Sequence, residues 1–197
     1  GEAVADNSPG SYIDEIKKLE GFVESDAFEI DRKYWVEKIK EQPARILSLR
    51  ASDQRINQTQ SSTFLLELDN TTRVELERIG KASGTGLLQL TTAALLIYLW
   101  HTTDRNEFLI GIPVHKRNSR SQRNIVGMFS GILPFKGTVI GNQTLDDLLK
   151  ETGRNLRADY RHQNFGIGDL SRHLKVNPMD GYLNEISVNY EPLNFDL

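Results

Sequence analysis

Residues 125–136, Ile-Val-Gly-Met-Phe-Ser-Gly-Ile-Leu-Pro-Phe-Lys, set the tightest condition on what this chain can fold into. Apolar side chains crowd the run and call for burial, while Gly127, Gly131 and Pro134 interrupt it. Glycine permits a bend or a close backbone approach, and proline cannot donate to a β-ladder. The segment must therefore be buried and also bend or press against another backbone. A strand or strand pair reaching to about Ile140 satisfies both demands.

The flanking sequence supplies elements that could cover such a strand. Phe108–Val114 is nearly all apolar, as in a strand covered on both faces. Between the two runs lies a polar loop, His115–Asn124, with four Arg or Lys residues. Thr144 is a good N-cap for a long helix through Arg161, with Asp146 and Asp147 in its first turn and Leu145, Leu148, Leu149 and Leu156 along one face. Gly168–Leu174 reads as a shorter helix and Glu185–Tyr190 as a last strand.

Upstream, apolar spacing predicts helices over Ser11–Glu20 and over Asp31–Lys40, the second carrying Tyr34, Trp35 and Ile39 and ended by Pro43. Phe64, Leu66 and Leu68 alternate as in a strand over Thr63–Leu68. Asn70, Thr71 or Thr72 can cap the next helix, whose apolar side carries Val74, Leu76 and Ile79; Gly84 and Gly86 then precede a buried helix from Leu87 to about Thr102. Strands alternating with helices predict an α/β fold: a two-layer sandwich with a mixed β-sheet covered by helices. The division expected is linker and bridging helices over 1–45, an exposed connection over 46–62, and one lobe over 63–197. The abrupt stop beside a strand suggests a lobe truncated at its end.

At 197 residues and 38% hydrophobic content, one packed domain or a large lobe is possible. A net charge of −3 gives no electrostatic case for nucleic acid. With no Cys there is no disulfide framework, Cys-based zinc site or thiol nucleophile, which fits a cytoplasmic protein. The first ten residues lack the regions of a signal peptide. The longest apolar stretch, Leu87–Trp100, is too short to span a bilayer.

The four histidines are His101, His115, His162 and His173, and none forms an H-x-x-x-H or H-E-x-x-H pair, so no metal is expected. His101 fits a partly buried capping role at a helix end, and His115 a solvated place in the basic loop. No phosphate loop, dinucleotide fingerprint or G-x-S-x-G elbow is present. By its residues alone, the chain carries no catalytic centre.

The order of segments resembles the condensation domains of nonribosomal peptide synthetases. Ser11-Tyr12-Ile13-Asp14 resembles the family's S-Y-x-D-Y, and Tyr34-Trp35 its frequent Y-W. Gly111-Ile112-Pro113 through Arg117 looks like I-G-x-P-x-x-x-R, and Ile125–Lys136 like I-G-x-F-V-N-T-L-P-x-R. His162-Gln163 matches the start of H-Q-x-x-P-F-E, with Gly166-Ile167-Gly168 replacing P-F-E. Asn177-Pro178 and Ile186–Tyr190 are similar to its R-N-P-L and F-N-Y-Q region. Each motif is weak alone; their collinearity is specific.

The resemblance implies the C-terminal lobe of a chloramphenicol acetyltransferase-like fold, two lobes forming a V with the active site between them. Such domains join an acyl or aminoacyl group on one carrier protein's phosphopantetheine thioester to the amine held on another. The family's HHxxxDG motif, whose second His orients or deprotonates the amine, is absent from this sequence. No catalytic residue is therefore expected here, and the fragment should be silent by itself. By analogy Phe129, Ser130, Gly131, Ile132 and Leu133 would wall the substrate tunnel, with Ser130-Gly131 in place of Val-Asn. Arg117 would pair with the Asp of the missing motif, or be a solvated loop arginine. His162 and Gln163 would be structural.

Implied partners are carrier domains, an adenylation domain and the N-terminal lobe, with self-association where that lobe would pack. Phosphopantetheine would come with the carriers, and no cofactor would bind directly. Rival readings are an epimerization or heterocyclization domain, a carrier-dependent acyltransferase, or a non-catalytic docking module. Epimerization domains tend to carry G-W-F-T where this chain has Gly127-Met128-Phe129-Ser130, so Met128 favours condensation.

Overall fold

The computed structural model describes residues 10–41, 46, 61–117, 119–176, 183 and 185–191. Its centre is β1 (Glu107–Val114), which pairs antiparallel with β2 (Gly131–Thr138) and parallel with β3 (Ile186–Ser187), giving a mixed sheet of order β2-β1-β3. The register sets Gly111 opposite Pro134 and Ile110 opposite Phe135. β2 has only one neighbour among the described strands, so Pro134 lies where a missing donor is tolerated.

The side chains of β1 divide between two cores. Phe108, Ile110 and Ile112 join Phe135 against α4 (Leu87–Thr103) and α6 (Leu145–Arg161), where Leu96, Leu149 and Leu156 complete the packing. Leu109 and Val114 join Leu133 in a second core with Trp35, Ile39, Phe165 and Leu170, from α2 (Asp26–Lys38), α7 (Ile167–His173) and their flanks. The α/β fold and the mixed sheet covered by helices are as predicted. α3 (Asn70–Ala82) packs on α4, and α1 (Tyr12–Val23) on α2.

Several local expectations are corrected. Thr63–Leu68 forms no strand: Phe64, Leu65 and Leu66 are 93%, 85% and 84% exposed, because alternation makes a strand only beside an edge that supplies hydrogen bonds. Asp69, rather than the three residues after it, caps α3, accepting from Thr72 N at 2.8 Å. α2 begins five residues early because Ser25 caps it, accepting from Phe28 N. The basic loop contains a short helix, α5 (Arg120–Arg123), and the run after it makes one strand preceded by irregular chain. The last strand is only Ile186–Ser187, followed by one further ladder bond from Val188 N to Gly111 O.

Leu145, at the start of α6, is exposed instead of joining the apolar face. His101 is exposed beside Trp100 and makes no capping bond among the described residues; Asp104, with φ 52°, ends α4. Pro43, Asn177-Pro178, the N-terminal linker at 1–9 and most of the 46–62 connection lie outside the described residues. Among the described residues, no single helix is long and apolar enough to cross a membrane.

Candidate functional site

The segment between β1 and β2 is folded around one guanidinium. Arg117 donates to the carbonyls of Gln122, Ile125 (2.9 Å) and Gly127 (2.9 Å), and its Cζ lies 4.3 Å from the centroid of the Phe129 ring. Arginine suits this because its planar fork offers several donors in fixed directions and a face for stacking. The solvated reading of Arg117 is thereby set aside: the side chain organises its own loop.

α1 closes over that loop. Tyr12 OH donates to Met128 O at 2.8 Å, across 116 positions of sequence, and the Tyr12 ring meets Phe129 edge-on at 5.4 Å. Gln122 Nε2 donates to Glu15 Oε2 at 2.7 Å. Gly127 is required at this contact, since a Cβ there would fall 2.3 Å from Tyr12 Cδ2.

Beneath these contacts is a cavity of about 290 Å³ with an apolar wall from α1, including Ile16, Leu19 and Phe22. Phe129, Ser130 and Lys116 form its other side. A second, more open cavity of about 590 Å³ is lined by His115, Arg117, Tyr160 and Gln163. Ser130 and Lys116 border both. Of the remaining tunnel candidates, Gly131 touches Lys116, Ile132 is 37% exposed, and Leu133 is wholly buried in the second core. Phe129 and Ser130 thus line the cavities, Gly131 lies behind the Lys116 side chain, and Leu133 does not join them.

His162 ends α6 and holds α2 to it. Its Nδ1 meets Asp31 Oδ1 at 2.7 Å, and Trp35 Nε1 donates to its carbonyl at 2.8 Å. One turn back, buried Asp159 accepts from Tyr34 OH at 2.6 Å and pairs with Lys38. Burial pushes the Asp159 carboxyl up and the Lys38 ammonium down, and the attraction between them opposes both shifts. Burial also raises the Tyr34 phenol, helped by the carboxylate it bonds. Tyr34, Trp35 and His162 are therefore parts of one polar knot, while Gln163 lines the larger cavity. Asp31, Lys38 and Asp159 were not singled out from sequence, because each reads as an ordinary charged position on a helix.

Comparison with known proteins decides the family: the condensation domain family matches residues 1–195. This chain belongs to it. Gramicidin S synthase 2 of Aneurinibacillus migulanus is 26% identical to it over 186 residues, covering 87% of the chain. Isonitrile lipopeptide synthase of Streptomyces coeruleorubidus is 24% identical over 197 residues, covering 100%. The chain spans only 4% and 13% of the length of those two synthases.

Among solved structures, the first condensation domain of the CDA synthetase matches 97% of the chain with a TM-score of 0.78 at 21% identity. VibH, an NRPS condensation enzyme, matches 92% with a TM-score of 0.74 at 19% identity. The chain covers 41% and 42% of those two chains. Within this condensation-domain chain, the S-Y-x-D, Arg117 and G-x-F segments converge on one cavity group, while the Y-W segment and His162 form the knot beside it. Lys116, which with Ser130 borders both cavities, was not singled out in sequence because it stands in a basic run without a motif of its own.

Proposed function

We propose that this chain is the C-terminal lobe of a condensation domain in a nonribosomal peptide synthetase, with 1–45 bridging, 46–62 connecting and 63–197 forming the lobe. It supplies one wall of the tunnel in which an acyl or aminoacyl thioester on one carrier meets the amine on another, and an amide forms. The observation that carries this reading is the convergence of Tyr12, Arg117, Phe129 and Ser130 on cavities bounded by an apolar helix face. Such a wall can seat a substrate arm and exclude water.

The wall contributes no base for the amine. His162 is engaged by Asp31 and Tyr34, and the sequence contains no HHxxxDG. General-base chemistry requires a group within hydrogen-bond reach of the proton, so the chemistry belongs to the other lobe. The phosphopantetheine arm arrives on carrier domains as part of the substrate. Carrier domains, an adenylation domain and the N-terminal lobe are the partners, in the cytoplasm. Apolar side chains of α1 and of 64–68 stand exposed where a partner would cover them.

The test is amide formation with two loaded carriers, followed by mass spectrometry. The chain alone should give no product, and adding a polypeptide that carries an intact HHxxxDG lobe should restore it. Product from the chain alone would sink the proposal, as would silence of the reassembled pair.

A further inference from the structure

Lys116 combines features that a loop lysine does not ordinarily share. Its backbone is left-handed, with φ 50°, a conformation that costs an L-residue with a side chain and that glycine adopts freely. A residue held in such a conformation is supported by its surroundings, and these positions cluster at binding sites. Its side chain is partly buried and borders both cavities.

The neighbouring strand makes room for it. An ideal Cβ on Gly131 would lie 2.6 Å from Lys116 Cε and 3.1 Å from its Nζ. Any side chain at 131 would therefore move the ammonium out of its place. Gly131 and Lys116 act as a pair, one vacating the space that the other fills.

The charges around the smaller cavity do not cancel locally. Glu15 is bonded to Lys18 at 2.6 Å and to Gln122 at 2.7 Å. Asp169 is held by Arg172 and accepts from Gly166 N at 3.3 Å. Among the described residues Lys116 has no hydrogen bond or ion pair; Asp169 reaches it only through the longer-range field. Burial pushes the Lys116 ammonium below the ordinary lysine value, with Asp169 opposing the shift. An anion brought into the cavity would reverse that cost and gain a charge-assisted bond.

The geometry points to Lys116 as the residue that reads substrate charge: its ammonium receives a carboxylate borne by the acyl or aminoacyl group in the cleft, and Gly131 keeps its place open. This rests on the proposed reading of the cleft as a condensation-domain substrate wall. A carboxylate is favoured over the arm's own phosphate because the apolar residues Ile16, Leu19 and Phe22 line the same cavity. That surround suits a short acyl chain with an anionic end rather than a doubly charged, strongly hydrated group.

The test is calorimetric titration of the 197-residue chain with pantetheine thioethers. One probe carries a carboxyethyl group and the other its neutral carbamoylethyl isostere; phosphopantetheine and pantetheine form a second pair. The carboxylate probe should bind about tenfold tighter than its isostere, as one partly buried charge-assisted bond allows. That preference should fall to parity in Lys116→Gly, Lys116→Gln and Gly131→Ala, read as the ratio of the two affinities within each variant. Lys116→Gly relieves the left-handed backbone and should melt no lower than the parent, which separates lost recognition from lost fold. Equal binding of the two thioethers by the parent chain overturns the inference and leaves the tunnel-wall reading standing. A Lys116-dependent preference for phosphopantetheine, without one for the carboxylate, gives the ammonium to the arm's phosphate and also overturns it. Failure of every probe to bind overturns both readings.

Discussion

The Tyr34 ring lies flat on the His162 imidazole, with centroids 4.0 Å apart and planes 20° from parallel. Tyr34 sits in α2 and His162 ends α6, so this stack joins two elements distant in sequence. The same imidazole bonds Asp31, and the next residue of α2, Trp35, donates to the His162 carbonyl. Three contacts thus fix the angle at which α2 crosses the end of α6. α1 packs on α2, and α1 walls the smaller cavity, so the knot sets the position of that wall.

His162→Ala removes the stack and leaves buried Asp31 without its partner. The combined loss should be about 2–3 kcal/mol in urea denaturation. His162→Asn retains a donor near the Nδ1 position but no ring, and should recover roughly half of it. A parent-like midpoint for His162→Ala would show that the contacts contribute nothing net.

The Lys38–Asp159 pair predicts a pH signature. Burial raises the folded Asp159 pKa above its ordinary 3.8, so the fold holds that proton more tightly than the unfolded chain does. Stability then declines as pH climbs from 3.8 to the raised value. Lys38 is lowered from 10.5, so stability rises as pH climbs from the lowered value to 10.5. The stability profile should therefore dip between these limbs. Asp159→Asn strands the Lys38 charge and should cost about 3 kcal/mol at neutral pH. Adding Lys38→Met should return most of that cost, keep an acceptor for Tyr34 OH, and flatten the dip. A double variant with the parent's pH profile would refute the assignment.

Gly127→Ala places a methyl group 2.3 Å from the Tyr12 ring, closer than atoms can approach. Relief requires the ring or the loop to shift, at about 1–3 kcal/mol. Tyr12→Val removes the ring, and the double variant should be more stable than the two single losses added together imply. Strict additivity in thermal unfolding would mean the two residues do not touch.

How much of this was legible depended on how local the signal was. The cap of α6 was readable because Thr144 and Asp147 bond each other within one turn, at 2.6 Å. The double burial of Phe108–Val114 was readable because a strand covered on both faces has no polar side to show. Thr63–Leu68 misled for the opposite reason: alternation states which side chains want burial, but not whether an edge is available. Leu145 misled because a helix's first turn can project beyond the core even when its spacing is right. Lys116 and Asp159 carried no signal. The left-handed backbone of one lies at a position not occupied by glycine, and the partners of the other come from a helix more than a hundred residues away. For the site, motif order identified the segments that meet, but not that Arg117 is engaged by its own loop's carbonyls.

Phe64, Leu65 and Leu66 leave three neighbouring apolar side chains more than four-fifths exposed. Consecutive apolar side chains this exposed favour association, and among the described residues nothing covers them. Sedimentation of the chain should show a weight-average mass that rises with concentration. Phe64→Ser combined with Leu66→Ser should return it towards the monomer, with unfolding free energy at low concentration changed by no more than about 0.5 kcal/mol, because neither side chain is buried in the fold. If the double variant loses cooperative unfolding instead, the segment packs within the chain. If the parent remains monomeric at high concentration, the patch does not mediate self-association.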